Sequence, residues 1–253
     1  MKKKKYIVAG ILAAAGVICA AVSIYLYFDQ KNAGDEYEKL RKKVTVENND
    51  DTDASDKTPV DIPIDFAQLK SMNPDIYAWI KVPGTVIDYP VVQSDTDNTY
   101  YLNHSVEKEE DKAGAIFTED YNSKTFEDPN TVLYGHGMAN GSMFDGLHQY
   151  MDRSFFDENR EVIIYMPDKI LHYQIFAAYL FDNRHLLQSI DFTNPEIFQA
   201  YLDMVYGIRD MKSNIDTSAN VTSQDKIITL STCYAGMNDK RYLVQAVLVS
   251  IEQ

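Results

Sequence analysis

Lys226-Ile-Ile-Thr-Leu-Ser-Thr-Cys-Tyr-Ala-Gly-Met-Asn-Asp-Lys-Arg241 reads as a β-branched apolar strand ending on Cys233, a polar turn of seven residues, and an arginine that opens a second apolar strand, Tyr242 to Ile251. Paired as a hairpin, the two strands bring Cys233 and Arg241 face to face across its mouth, roughly 5 Å apart along the backbone. A structural cysteine capping a core strand would have apolar neighbours, whereas Ser231, Thr232, Asn238, Asp239 and Lys240 make this strand end polar. A partly exposed thiol beside a fixed positive charge is the reactive kind, because the charge favours the thiolate.

A thiol nucleophile needs a proton acceptor, so the five histidines have to be sorted. His104, His148, His172 and His185 fall in a loop, a helix, a strand and a loop, with ordinary neighbours, and read as surface or packing residues. His136 differs: it follows the strand Thr131 to Tyr134 and stands between Gly135 and Gly137, whose small size leaves the imidazole accessible at a strand end. Together with Cys233 it makes a candidate Cys/His pair. No histidine lies within four positions of another or of Cys233, and the acids show no calcium-loop spacing, so neither a metal nor another cofactor is expected.

The chain of 253 residues carries a formal charge of −14, and the part beyond Lys2 to Lys5 is more acidic still, which repels phosphate backbones and excludes nucleic acid as a partner. After those four lysines, Tyr6 to Phe28 runs 23 positions without a charged side chain. As a helix this is about 34 Å, enough to cross a bilayer with the basic end in the cytoplasm. Residues 1–28 are therefore expected to form a cytoplasmic tip and a transmembrane signal anchor. Cys19 falls inside that span, which leaves Cys233 as the one thiol of the exported part, without a disulfide partner.

Residues 29–60 read as an extracellular acidic stalk. Tyr37 to Val46 has the pattern of a short helix, but Glu47 to Asp56 holds five acids and no large apolar residue and cannot bury surface. The folded domain is expected over 61–253, independent of what precedes it. Asp65 caps a short helix through Met72, and Asn73-Pro74 opens a turn that delivers Trp79 to the core. Strands follow at Trp79 to Val82, Val86 to Gln93, Ala113 to Thr118, Thr131 to Tyr134, Val162 to Met166 and Ile170 to Phe181. Pro90 suits an edge or a bulge, and Met143 to Tyr150 and Ser154 to Asn159 read as short helices. One longer helix stands out, capped by Asn194 with Pro195 at its first position, with Ile197, Tyr201, Leu202, Val205 and Ile208 at helical spacing over about fifteen residues. Many strands with few helices predict a mainly β fold, a barrel or sandwich with accessory helices.

Thr229-Leu-Ser-Thr-Cys233 resembles the Thr-Leu-x-Thr-Cys signature of sortases, the membrane-anchored cysteine transpeptidases of Gram-positive bacteria, with Arg241 in the place of their arginine. Tyr134-Gly-His-Gly-Met138 is similar to their histidine segment. Ala78-Trp-Ile80, Tyr89-Pro-Val-Val-Gln93 and Tyr100-Tyr-Leu-Asn103 resemble the class B branch. The resemblance covers about residues 61–253 and implies a closed β-barrel of about eight strands, with extra helices at the N-terminus and before the cysteine strand. It implies catalytic roles for His136, Cys233 and Arg241, and contacts to the substrate from Asn98, Leu102, Tyr134, Ser231 and Thr232.

The activity the resemblance implies is cleavage of a C-terminal sorting signal after threonine, followed by transfer of the surface protein through a thioester to an amine of the peptidoglycan or of a pilin. Tyr234 departs from the pattern, since some class B members carry an acid directly after the cysteine. A secreted, membrane-anchored cysteine protease is the alternative: it would use the same Cys/His pair but transfer the acyl group to water, and it would orient the histidine with Asn or Asp more often than place an arginine nearby.

Overall fold

The computed structural model describes residues 17–19, 36–45, 60–234 and 236–253, with residue 238 described in its backbone only. Among these residues no helix is long and apolar enough to cross a membrane; the span expected over Tyr6 to Phe28 lies outside them apart from 17–19.

Eight strands close into a ring. In chain order they are β1 (Ile76–Lys81), β2 (Asp88–Val92), β3 (Ile116–Phe117), β4 (Asn130–Tyr134), β5 (Glu161–Tyr165), β6 (Ile170–Asp182), β8 (Ile227–Tyr234) and β9 (Met237–Glu252), and around the barrel they run β5-β1-β2-β3-β4-β8-β9-β6, closed by β5 on β6. The two-residue β7 (Asn214–Ile215) adds to the far half of β6, beyond the stretch that pairs with β5. The ring is thinnest between β3 and β4, which pair only at Phe117 and Tyr134. Pro90 sits in β2 opposite Trp79, just before the two residues that pair with β3, so its missing donor interrupts no ladder on that side.

The wall around β8 is buried on both faces, which is why Ile227 to Thr232 reads as an unbroken run rather than an alternation. Ile228 and Leu230 point into the barrel core, while Ile227 belongs to a second apolar cluster outside the wall. That cluster is built on the longest helix, Pro195–Tyr206, which follows the shorter helices α1 (Phe66–Met72), α2 (Arg153–Glu158) and α3 (Leu186–Ser189) and is therefore α4. Asn194 caps α4 by accepting the Glu196 and Ile197 N–H groups, and Gly207 ends it. The helix is shorter than its sequence pattern suggests and its inner stripe is Phe198, Tyr201, Leu202 and Val205, with Ile197 outside at 44 % exposure. Phe198 stands three, four and seven places before the other three and completes the face that Ile197 was expected to occupy.

Within residues 29–60, expected as an acidic stalk, the segment that precedes the acidic run packs on the barrel. Residues 36–44 are helical, and Tyr37, Leu40 and Val44 are buried in the barrel's own core cluster. The Tyr37 hydroxyl donates to Gly114 O at 2.9 Å, and its ring meets Tyr89 edge to face. Thr45 bridges to Ile64. Arg41 lies 3.4 Å from Asp88, whose other oxygen accepts the indole N–H of the fully buried Trp79 at 2.6 Å. An amphipathic stretch with three apolar residues at helical spacing is enough to dock, whereas the five acids after it are not. We propose that the folded unit begins at or before residue 36.

A chain started at residue 61 is therefore expected to melt below one started at residue 30, and Val44→Ala alone to cost about 1–3 kcal/mol, the order of a buried aliphatic side chain. Thermal unfolding of the three proteins checks this; equal midpoints would return the helix to the spacer.

Candidate active site

Strand register brings the three principal residues to one end of the barrel. β4 and β8 run parallel with Tyr134 opposite Ser231, so His136 and Cys233, each two residues further on, emerge side by side. Gly135 N–H continues this ladder by one bond, donating to Ser231 O at 3.2 Å. β8 and β9 run antiparallel with Cys233 opposite Arg241, the pairing read from the sequence. The turn itself is tighter than the seven-residue loop expected: β9 starts at Met237 opposite Tyr234, and residues 238–240 are absorbed in an irregularity between that pair and the Cys233–Arg241 pair. Gly236, at φ +81°, makes the reversal without the strain a side chain would bring.

Cys233 is the first exposed residue of β8 after six buried ones. His136 is half-buried and donates through Nε2–H to the backbone carbonyl of Leu102 at 2.7 Å, while its own carbonyl accepts the Phe144 N–H at 2.8 Å. The glycine before it is demanded by packing rather than by access, since a Cβ at Gly135 would come within 2.5 Å of Ile116 Cδ1 and 2.9 Å of the Phe144 ring. Arg241 donates to Lys240 O at 3.1 Å. After the cysteine, where some class B members carry an acid, the Tyr234 hydroxyl accepts from Lys212 Nζ at 2.6 Å with the ammonium 4.8 Å from its ring centroid.

All three residues line one cavity of about 210 Å³, beside the thin β3–β4 seam. Leu102, Tyr134, Ser231 and Thr232 line it as well. Thr232 Oγ1 is buried with no hydrogen-bond partner among the described residues. Asn98 stands apart from this wall: its side chain donates to Asp120 Oδ1 at 2.6 Å and accepts the Asp120 N–H at 2.9 Å, stapling the loop that follows β3. Two residues that the sequence reading passed over line the cavity instead, Glu119 and His185. His185 caps α3 by accepting the Gln188 N–H and donates through Nε2–H to Glu119 Oε2 at 2.5 Å. Burial, then the Glu119 charge, pushes the Tyr134 hydroxyl well above the usual tyrosine range and keeps it neutral, and the hydroxyl is buried with no hydrogen-bond partner among the described residues. The signal for His185 was its place just before a short helix, a position shared by many capping residues that touch no cavity.

The Leu102 carbonyl is held from behind. Tyr100–Leu102 forms a single 3-10 turn, and the fully buried Tyr101 accepts from Asn73 Nδ2 at 2.8 Å and donates to Asp75 Oδ2 at 2.6 Å through its hydroxyl. Lys108 adds an ion pair to Asp75 at 2.9 Å. On the inner side the Ala115 N–H donates to Tyr101 O at 3.0 Å, and Gly114, at φ +59°, packs so close that a Cβ there would lie 2.5 Å from Tyr101 O and 2.9 Å from Leu102 O.

Comparison with known proteins identifies the family. The family model described as a sortase domain matches residues 80–249. Sortase B of Staphylococcus aureus is 32% identical over 255 residues, 99% of this chain and 99% of that protein. Among solved structures, sortase B of Clostridium perfringens is 35% identical with a TM-score of 0.65, covering 73% of this chain and 99% of that one. Sortase B of Bacillus anthracis in complex with AAEK1 is 28% identical with a TM-score of 0.71, covering 90% and 99%. The chain belongs to the sortase family, in its class B branch, and is a cysteine transpeptidase.

The anchor beneath Leu102 carries a pH signature. Burial raises the Asp75 carboxyl, but the hydrogen bonds from Tyr101 and Lys108 outweigh it and hold the group below the usual carboxylate range. A carboxyl lowered in the folded state stabilises fully above its unfolded value and loses that contribution as pH falls through the folded one. Asp75→Asn should therefore flatten the acid limb of stability below about pH 4, read as urea midpoints against pH. An unchanged limb would exclude Asp75 as its source.

Proposed function

We propose that this class B sortase cuts a C-terminal sorting signal after a threonine and transfers the resulting acyl group to an amine of the peptidoglycan or of a pilin subunit. Cys233, as thiolate, attacks the threonine carbonyl. Arg241 donates to the developing oxyanion, and His136, as imidazolium, gives its proton to the departing amine as the C–N bond breaks. A thioester is left. The now neutral His136 takes a proton from the incoming amine, whose nitrogen attacks the thioester and frees the thiolate.

The observation that carries this reading is the alignment of His136, just past the end of β4, with Cys233 on β8 and Arg241 on β9, on adjacent strands opening on one cavity. The cavity is mostly apolar, lined by Phe117, Val132, Leu186 and Leu243, and so suits an extended peptide entering from solvent. Leu102, Tyr134, Ser231 and Thr232 stand where they would touch that peptide, while Asn98 acts through the loop it staples. The uncharged run Tyr6 to Phe28 supports an anchor that keeps the catalytic domain outside the membrane, near both the surface proteins that carry sorting signals and their amine acceptors.

Cys233→Ala should abolish the thioester adduct seen by mass spectrometry with a sorting-signal peptide, and His136→Ala should nearly abolish turnover. Normal turnover by either variant would remove that residue from the role given it. Arg241→Lys keeps the charge but loses the fork, and should lose about 10²-fold in kcat/KM, as for a removed oxyanion donor. A lysine enzyme within about threefold of wild type would instead assign Arg241 to long-range stabilisation of the thiolate.

A further inference from the structure

We propose that the backbone carbonyl of Leu102 is the positioning group of the catalytic histidine: it fixes the His136 ring as the Nε2–H tautomer and leaves Nδ1 as the nitrogen that exchanges protons with substrate. The kinetic part of this inference rests on the function proposed above; the tautomer does not. A carbonyl can only accept, so the bond of 2.7 Å requires a proton on Nε2 in the neutral ring as well as in the imidazolium. The imidazolium then gives its Nδ1 proton to the departing amine, and the bare Nδ1 takes one from the incoming amine. Nε2–H stays bonded to Leu102 throughout.

In other Cys/His enzymes a side-chain amide or carboxylate often does this orienting. Here the acceptor is a peptide group, and a peptide group orients a ring only if the turn that carries it is rigid. The Tyr100–Leu102 turn meets that requirement on two sides. Outside, the buried Tyr101 hydroxyl is tied to Asn73 and Asp75. Inside, Gly114 and the Ala115 N–H pack against the Tyr101 and Leu102 carbonyls at distances that leave no room for a side chain. Leu102 exposes 42 % of its surface, so its side chain can meet a peptide while its carbonyl serves the histidine. Tyr101, Asn73 and Asp75 are then positioning residues, acting on His136 through Leu102.

The test is nitrogen NMR of the full chain labelled with 15N-histidine, with the His136 resonances identified by their loss in His136→Gln. The neutral ring is expected to carry its proton on Nε2, and a wild-type ring protonated on Nδ1, or divided evenly between the tautomers, overturns the proposal. Replacing Asn103 by its α-hydroxy acid turns the Leu102 amide carbonyl into an ester, a weaker acceptor, and removes only a long bond of 3.5 Å from Asn103 N–H to Tyr100 O. This variant should spread the neutral ring over both tautomers and lower kcat about 5- to 10-fold with KM within twofold, as for a weakened hydrogen bond. A fall in kcat with the tautomer unchanged would reduce Leu102 to a structural role and refute the inference. Should the ester chain fail to fold, Tyr101→Phe loosens the same turn and should shift the tautomer ratio in the same direction; a ratio equal to wild type in that variant counts against the proposal. The tautomer is read without substrate, so an enzyme that cleaves no sorting signal yet shows the Nε2–H ring separates failure of the proposed function from failure of this one.

Discussion

A buried chain of hydrogen bonds fixes the register on which the site depends. Asn130 Oδ1 in β4 accepts from Thr229 Oγ1 in β8 at 2.9 Å, and Thr229 Oγ1 accepts from Gln245 Nε2 in β9 at 2.9 Å. Gln245 continues to the hydroxyls of Tyr201 on α4 and Tyr179 on β6. Thr229 and Gln245 are direct cross-strand partners, and both are fully buried. A slip of one residue between β8 and either neighbour would turn these side chains into the barrel core and leave them unbonded, at about 1–3 kcal/mol for each stranded group. Apolar β-branched side chains alone would tolerate such a slip far better, because one isoleucine packs much like another.

That register is what makes chemistry possible at the strand ends. Ser231 opposite Tyr134 and Cys233 opposite Arg241 both follow from Thr229 standing opposite Gln245 and beside Val132. Each ladder shifts the alignment by whole residues, so a single wrong step would move His136 or Arg241 by more than 3 Å, beyond hydrogen-bond reach of a shared substrate atom. The second apolar cluster, under α4, buries the outer face of this wall and keeps the polar chain away from water. The accessory helix thus supports from behind the wall that carries the candidate site.

Much of this was legible in the sequence because it is local. The Cys233–Arg241 pairing follows from one hairpin, the Asp65 and Asn194 caps from single side chains, and the strands β4, β5 and β6 from short runs of β-branched and aromatic residues. What could not be read is set by partners distant in sequence. Tyr37 is buried only because Tyr89 and Gly114 receive it, and the stretch around it is indistinguishable from a short exposed helix until they do. His185 lines the cavity only because Glu119, 66 positions earlier, accepts from it. Phe198 takes the inner face of α4 in preference to Ile197 because the stripe through Tyr201, Leu202 and Val205 points that way once the outer wall of the barrel is there to receive it.

The same long-range packing joins the N-terminal segment to His136. Tyr37 donates to Gly114 O, Gly114 packs against the carbonyls of Tyr101 and Leu102, and the Leu102 carbonyl receives His136. The segment that leads from the uncharged N-terminal run therefore ends against the peptide groups that orient the imidazole. Stability and orientation share these contacts, which is why a short helix belonging by composition to a linker is folded into the barrel's core. A linker free of such contacts would leave Asn73, Asp75 and the Ala115 N–H bracing the Tyr100–Leu102 turn, but would remove the Tyr37 hydroxyl that holds Gly114 from behind.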